Sequence, residues 1–492
     1  MKILASLTNK EGADIFLDKV KDHVEMVYAS SGTKKFLEGK GVKCTGIETF
    51  TGFAEMLDGR VKTLHPAIFG GILAKDSKEH MDQLKEKNFV AFDVVMCNLY
   101  DFAGHMEGTL DEKVENIDIG GVSLIRAAAK NFGRVAILTD PSDYDLAADS
   151  ILKHGEITLD LRKKLSLKAF RLTASYDAMI SSNLSEEFGQ DSGSGVIIPG
   201  RGVELRYGEN PDQKGFLHEM NNYGKISIFH GKEMSYNNYM DASSAIETAE
   251  EFDEPFAVVI KHNTPCGAAV GKTHSEALLK AIDADRESAY GSVICINGIV
   301  DDESCSILKG MFVEVLIARG FTDSAKELLY KRKNIRLATY QGHGPSTRLR
   351  SVFNGILEQD FVSAAPKEIT PVVNEKKEFL PDLLFAWKIV AHCRSNAIVL
   401  ASHGATVGIG AGQTSRVQAA KIAAERAGDK AKGSVMASDA YLPFADNVDV
   451  ASSSGISAII QPGGSIRDQD VIDACSRQGI SMYFTGKRVF LH

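Results

Sequence analysis

Cysteine is scarce in this chain: seven in 492 residues, an odd number, with no CxxC pair. That argues against a disulfide scaffold and a zinc ribbon and points to a reducing compartment, the cytosol. Long apolar runs are also missing. No stretch approaches the roughly 18 apolar residues that span a bilayer. The apolar run in MKILASLTNKEG is too short for the core of a signal peptide. Basic excess is absent: 56 Lys and Arg against 65 Asp and Glu leave a net charge of −9. That disfavours a general nucleic-acid coat or an anionic-membrane binder. The chain has no GxxxxGKS/T string, so a P-loop is disfavoured. It has no H-x-E with P-C-x-x-C, so a zinc deaminase is disfavoured as well.

What is present is a globular composition, 44% hydrophobic and 25% charged, which excludes disordered and fibrous classes. At about 150 residues per domain, the length predicts two to four domains. Apolar runs at 2–6, 23–29, 92–99 and 134–139 alternate with helical patterns, as at Ile15, Phe16, Leu17 and Val20. That alternation predicts a parallel α/β sheet. Ligands of such sheets sit at the carboxyl ends of strands, so the loops after Ser6, Ala29 and Leu99 are the places to look. Residues 162–183 read as a helical connection. The polar, Gly/Ser-rich 185–195 (SEEFGQDSGSG) reads as a linker between a domain at 1–184 and a region at 196–492. In that second region strands are expected at 256–260, 293–299, 315–317 and 398–401, and helices at 245–252 and 417–427. Its size suggests two α/β subdomains. No short-period repeat is evident.

Several strings carry chemistry. Ser30-Ser31-Gly32-Thr33 between a strand and a helix suits phosphate, since backbone N–H groups and a helix N-terminus favour an anion. A plain N-cap turn uses the same residues. Ser6, Thr8 and Lys10 form a second polar loop, and the two together read as one phosphate pocket. DGRVKTLHP (58–66) places Arg60, Lys62 and His65 in a poor helix former, either a solvated basic loop or a site for an anionic substrate. Tyr100 in NLYDF and Asp118 in IDIGG are candidate acid–base or orienting groups. Lys130 lies at a helix end that favours a cation anyway. LRYGENP (205–211) supplies an Arg and a Tyr in a turn-rich segment. KHNTPCG (261–267) follows the apolar run AVVI. There His can move a proton, Lys can stabilise negative charge, and Asn can orient an amide. Cys266 has no partner pattern of a nucleophile and reads as structural. GIGAGQTSR (408–416) lacks the full dinucleotide fingerprint. Its Gln413, Ser415 and Arg416 suit a phosphate or carboxylate. SDAYLPFADNVD (438–449) offers an aromatic that either stacks a flat heterocycle or belongs to the core.

Taken in order, DGRVKTLHP, NLYDF, IDIGG, RAAAKN, LRYGENP, SYNNYMDA, KHNTPCG, FVEVLIA, DLLFAWK, SNAIV, GIGAGQTSR, SDAYLPFADNVD and QPGGSIRD resemble one family along nearly the whole chain. That family joins AICAR transformylase to IMP cyclohydrolase in purine biosynthesis. The resemblance implies a methylglyoxal-synthase-like parallel-sheet domain followed by two cytidine-deaminase-like α/β subdomains without zinc. It implies formyl transfer from 10-formyltetrahydrofolate, as co-substrate, to the 5-amino group of AICAR, then dehydrative closure of formyl-AICAR to IMP. It implies no catalytic metal, allows a monovalent cation, and implies a homodimer with shared transformylase sites and no nucleic-acid or membrane partner. For formyl transfer it implies His262 as proton acceptor, Lys261 either stabilising the transfer intermediate or protonating the folate leaving nitrogen, and Asn396 on the formyl oxygen. Arg206, Tyr207, Glu314, Arg416 and Arg488 would hold the ribonucleotide, with Tyr441 near its base. For ring closure it implies Lys62 at the oxyanion, with Tyr100, Asp118 and Lys130 in proton transfer and orientation. Ser6, Thr8, Lys10, Ser30, Gly32 and Thr33 would cradle the 5′-phosphate beside Arg60 and Thr63. The chain departs from the family pattern at Asp212, Phe132, Arg319, Ser292 and Leu491. Asp212 and Ser292 bear on substrate or folate affinity. Two competing readings are an ATP- and formate-dependent transfer to AICAR and a non-catalytic purine-nucleotide sensor.

Overall fold

The computed structural model describes residues 1–492 except 55, 58, 59, 62, 190–201, 219–223, 343, 345, 346, 354 and 362. The chain divides into two compact units, Met1–Gly200 and Arg201–His492.

In the N-terminal unit the strands are β1 (Lys2–Ser6), β2 (Met26–Ala29), β3 (Cys44–Gly46), β4 (Val94–Cys97) and β5 (Ala136–Leu138). They form one sheet in the order β3-β2-β1-β4-β5, and every pairing is parallel. Ile3, Leu4, Val94, Val95 and Ile137 are buried, which is why these strands read as unbroken apolar runs rather than alternating ones. The order reverses at β1, and that reversal opens a crevice at the strands' carboxyl ends. Two helices begin beside it, Ser31–Gly39 and Gly120–Lys130. The connection expected at 162–183 is one helix, Leu159–Glu187. The expected linker starts within its last turn and, from 190 onward, lies outside the described residues.

The C-terminal unit contains a small pair, β6 (Gly202–Glu204) with β7 (Phe216–His218). Its main sheet starts with β8 (Lys225–His230), β9 (Phe256–Lys261), β10 (Thr264–Val270), β11 (Ser292–Val300), β12 (Val313–Phe321) and β13 (Arg336–Gln341). A hairpin of β14 (Thr347–Val352) and β15 (Gly355–Asp360) stands apart from that sheet. The main sheet continues with β16 (Thr370–Val373), β17 (Ile398–Ser402), β18 (Ala405–Gly410), β19 (Val435–Ser438), β20 (Ala458–Gln461) and β21 (Ser481–Phe484).

These twelve strands run β16-β21-β20-β19-β17-β18-β10-β9-β11-β12-β13-β8. Counted outward from the β10–β18 seam, both halves repeat one order: second strand of a hairpin, first strand, three strands that follow the hairpin in sequence, and last the strand that precedes it. The two expected subdomains are therefore halves of one sheet. A single core containing Trp387, Phe256 and Val399 draws on both halves, while two further cores each belong to one half. The matching halves are an internal duplication too long in period to stand out in the sequence. Gly267 on β10 and Gly408 on β18 correspond in it. A Cβ on either would collide with a carbonyl of the following helix, that of Ala281 or Ala423.

Candidate active sites

In the N-terminal unit a cavity of about 620 Å³ lies at the sheet's carboxyl edge. That volume suits a small-molecule ligand. Ser6, Thr8 and Lys10 line it from the loop after β1, and Ser30, Gly32 and Thr33 from the start of the helix after β2. Arg60, Thr63, Tyr100 and Asp118 also line its wall. Lys62 lies outside the described residues. Lys130 is not among the lining residues: it ends the helix that starts at Gly120, about 15 Å away at 1.5 Å per residue. His65 caps the helix Pro66–Leu73, its Nδ1 accepting the Ala67 N–H at 3.1 Å, and is not among the cavity's lining residues.

The loops are fixed from behind. The buried Thr33 hydroxyl accepts the Leu7 N–H at 2.9 Å and the Ser30 hydroxyl at 3.2 Å, which ties the first two strand ends together. Asn98 was present in NLYDF, but its role was not read from the sequence. Its Oδ1 accepts the N–H groups of Thr8 and Asn9 at 2.6 and 3.1 Å, and its Nδ2 donates to the Asn9 carbonyl at 2.7 Å. Asp118 is 8% exposed, and its Oδ1 accepts the Gly121 N–H at 2.6 Å. A Cβ at Gly120 or Gly121 would strike Thr63 or Asp118, so the paired glycines of IDIGG let the helix begin against both. The Asp118 N–H donates to the Tyr176 hydroxyl at 2.8 Å, and that hydroxyl donates to the Asn116 carbonyl at 3.0 Å. Burial pushes the Tyr176 phenol up to about 12, so it stays a neutral donor. Arg60 is paired with Glu115 on the rim. Two helix N-termini, Lys10 and Arg60 favour an anion, and Asp118 caps the second of those helices from the cavity wall.

In the C-terminal unit, register places the expected residues at one end of the sheet. Ala269 of β10 pairs antiparallel with Ala405 of β18, which brings the Thr264 end of one beside the Gly410 end of the other. Lys261 and His262 sit at that end, and Asn396 precedes β17 there. Glu314 starts β12, while Tyr441 and Arg488 follow β19 and β21. Lys261 Nζ donates to the Tyr290 carbonyl at 2.8 Å. His262 is exposed in the left-handed region at φ 54°. Asn396 Oδ1 accepts from Arg416 Nη2 at 2.5 Å and its Nδ2 donates to the Gln413 carbonyl at 2.8 Å. Arg416 is buried, and its other terminal nitrogen is taken by Ser438 and the fully buried Asp439. Glu314 accepts from Arg336 at 2.6 Å. Arg206 lies over the Tyr207 ring and Arg488 over Phe490. Asp439, which organises Arg416 and accepts the Ser395 hydroxyl at 2.5 Å, was read only as one of several acids in its string.

The departures divide by surroundings. Ser292 is buried with its hydroxyl donated to the Ala289 carbonyl, whereas Asp212 is exposed in a turn closed by Asn210 and Gln213. Leu491 receives the Ser395 N–H on its carbonyl, and Phe132 receives Arg162.

The family model described as AICARFT/IMPCHase bienzyme matches residues 128–426, and that of the MGS-like domain matches 16–123. The chain belongs to the AICARFT/IMPCHase bienzyme family. It is similar to the "Bifunctional purine biosynthesis protein PurH" of Halalkalibacterium halodurans, 44% identical over 508 residues, with 100% of this chain and 99% of the relative covered. The protein of the same name from Aquifex aeolicus is 43% identical over 507 residues, with all of both chains covered. A solved structure, ForH, is 30% identical over 38% of this chain and 98% of its own, with a TM-score of 0.33. As an AICARFT/IMPCHase bienzyme the chain is an AICAR formyltransferase and an IMP cyclohydrolase, and its formyl transfer is folate-dependent. Its first domain is MGS-like. Among the described residues no helix is long and apolar enough to cross a membrane.

Proposed function

We propose that ring closure takes place in the N-terminal cavity and formyl transfer at the His262 end of the C-terminal sheet. The cavity is the observation that carries the first assignment, because it unites two anion-favouring helix starts with Asp118 and Tyr100. In this reading Ser6, Thr8, Lys10, Ser30, Gly32 and Thr33 hold the 5′-phosphate, with Arg60 and Thr63 beside it. The carboxamide nitrogen attacks the formyl carbon, Lys62 stabilises the oxyanion, and Asp118 and Tyr100 orient and move the protons. Lys130 serves the carboxyl end of its helix rather than the substrate.

For formyl transfer, the AICAR amine is a poor nucleophile because its lone pair is delocalised into the imidazole and carboxamide. His262 takes its proton during attack, Lys261 faces the leaving folate nitrogen, and Asn396 holds the formyl oxygen. General acid–base help of this kind is worth about 10²- to 10⁴-fold. Arg416, held by Asp439, Ser438 and Asn396, orients Asn396 and keeps further N–H donors for the ribonucleotide. Arg206, Tyr207, Glu314 and Arg488 hold the ribonucleotide with it, and Tyr441 lies by the base.

The donor is 10-formyltetrahydrofolate, and neither step needs a redox cofactor or a catalytic metal; a monovalent cation is compatible with both. The working form is a cytosolic homodimer with shared transformylase sites. The spread of the residues supports sharing: from Glu314 on β12 to Arg488 beyond β21 they span nine adjacent strands, about 40 Å at the usual spacing.

The test is spectroscopic detection of IMP from AICAR and 10-formyltetrahydrofolate with purified protein. IMP formation is expected. Formylation that requires ATP and formate instead would overturn the donor, and tight AICAR binding without turnover would favour a sensor.

A further inference from the structure

The duplication places a second hairpin beside the one that carries His262, and the two agree in detail. Lys261 ends β9 and Thr264 starts β10, so His262 and Asn263 form a two-residue turn with φ 54° and 58°. Ser402 ends β17 and Ala405 starts β18, so His403 and Gly404 form a matching turn with φ 52° and 68°. Positive φ at both positions matches the strand twist; it suits Gly best, and Asn and His adopt it more readily than most other residues.

Each turn is held by a carboxylate from the helix before it. Asp241, in Tyr236–Ala249, accepts the Asn263 N–H at 2.7 Å. Asp382, in Leu380–Val390, accepts the His403 and Gly404 N–H groups at 2.9 and 2.7 Å. Both aspartates lie twenty-one positions before their histidine. One half therefore shows what the carboxylate does where no reaction is assigned: it holds the turn.

We propose that Asp241 is a positioning residue for formyl transfer, its carboxylate keeping the turn in the conformation that presents His262 to the substrate amine. The proposal rests on the reading of His262 as the proton acceptor. Asp241 holds the turn through its backbone, and its carboxylate also attracts the charged imidazole of His262. A turn without its clamp is free to shift and carries the imidazole with it.

The experiment compares Asp241→Ala with Asp382→Ala in the full-length protein and reads formyl-transfer kcat and KM, ring closure of formyl-AICAR, and thermal stability. Both variants remove the same clamp and are expected to lower Tm similarly and to leave ring closure intact. Asp241→Ala is expected to lower formyl-transfer kcat about 10- to 100-fold, the size of effect that a misplacement of about 1 Å produces, with KM for AICAR nearly unchanged. Asp382→Ala is expected to leave kcat within about twofold of the parent, since no reacting group rides on its turn. Equal kcat values in the two variants would overturn the proposal, leaving both clamps structural. If the alanine variants do not fold, the Asn pair decides. Asp241→Asn keeps one acceptor oxygen and should lose part of kcat where Asp382→Asn loses none, and equality again overturns it. His262→Ala in the same series separates the premise: undiminished transfer by that variant defeats the assignment of His262 itself.

Discussion

The two sites are built on opposite plans. The N-terminal one is a cavity within a single unit, at the reversal of an all-parallel sheet, with both helix starts and Asp118 around one volume. The C-terminal one is a row of groups along one end of a mixed sheet, several of them already bonded to protein partners. A parallel sheet gathers its loops at one point because every strand ends on the same side. A duplicated sheet with hairpins spreads its functional ends across its width. The first plan closes its groups around one volume, whereas the second leaves them in a line.

If the two plans house separate reactions, single substitutions should break one activity at a time. The largest effect is expected from His262→Ala: formyl transfer falls about 10²- to 10⁴-fold while closure of supplied formyl-AICAR is retained. Loss of both activities from a folded variant would end the comparison. Asp118→Asn should do the reverse, lowering ring closure about 10²-fold or more with formyl transfer intact, as measured by formyl-AICAR accumulation. Tyr176→Phe sharpens the picture of the cavity. It leaves the buried Asp118 N–H without its acceptor, a cost of about 1–3 kcal/mol in unfolding experiments, and should slow closure about tenfold. An unchanged closure rate would make Tyr176 a support of the fold alone.

The smallest effect concerns acid stability of the C-terminal unit. Burial pushes the Glu251 carboxyl up. The hydrogen bond and charge of His392, the Ala364 N–H and Lys388 outweigh that and hold it below the usual carboxylate range. A lowered folded pKa adds stability that is present above the unfolded value, about 4.3, and is lost as pH falls through the folded one. Glu251→Gln should therefore unfold more readily than the parent near neutral pH, and the gap should close below about pH 4.

The N-terminal sheet was legible where strands are buried on both faces. The run at 2–6 coincides with β1, and those at 92–99 and 134–139 contain β4 and β5 with ends overrun by a few residues. β3 was missed because Cys44-Thr45-Gly46 offers no apolar run, and parallel pairing with β2 alone makes it a strand. The polar loops pointed to the cavity, since Ser, Thr, Gly and Lys at strand ends have a direct use there. The supporting residues were not legible. Asn98 and Tyr176 act on backbone groups far away in sequence, and only folding brings those groups near. Asp241 and Asp382 were hidden for the same reason. The duplication leaves its trace in paired turns and in Gly267 and Gly408 rather than in matching strings.

The seam between β10 and β18 has a consequence for what each half is by itself. Few backbone bonds cross it, among them the Val270 N–H to the Gly404 carbonyl, and the Thr406 hydroxyl stitches it by accepting the Ala268 N–H at 3.0 Å. Cut there, either half would expose an apolar edge strand to water with unpaired N–H and C=O groups, a template for pairing with any other chain. Fusion of the halves acts as mutual insurance against aggregation. A fragment ending before β16 or beginning after β15 is expected to pair with itself or to precipitate, because the strand meant to cover its edge is in the half that was removed.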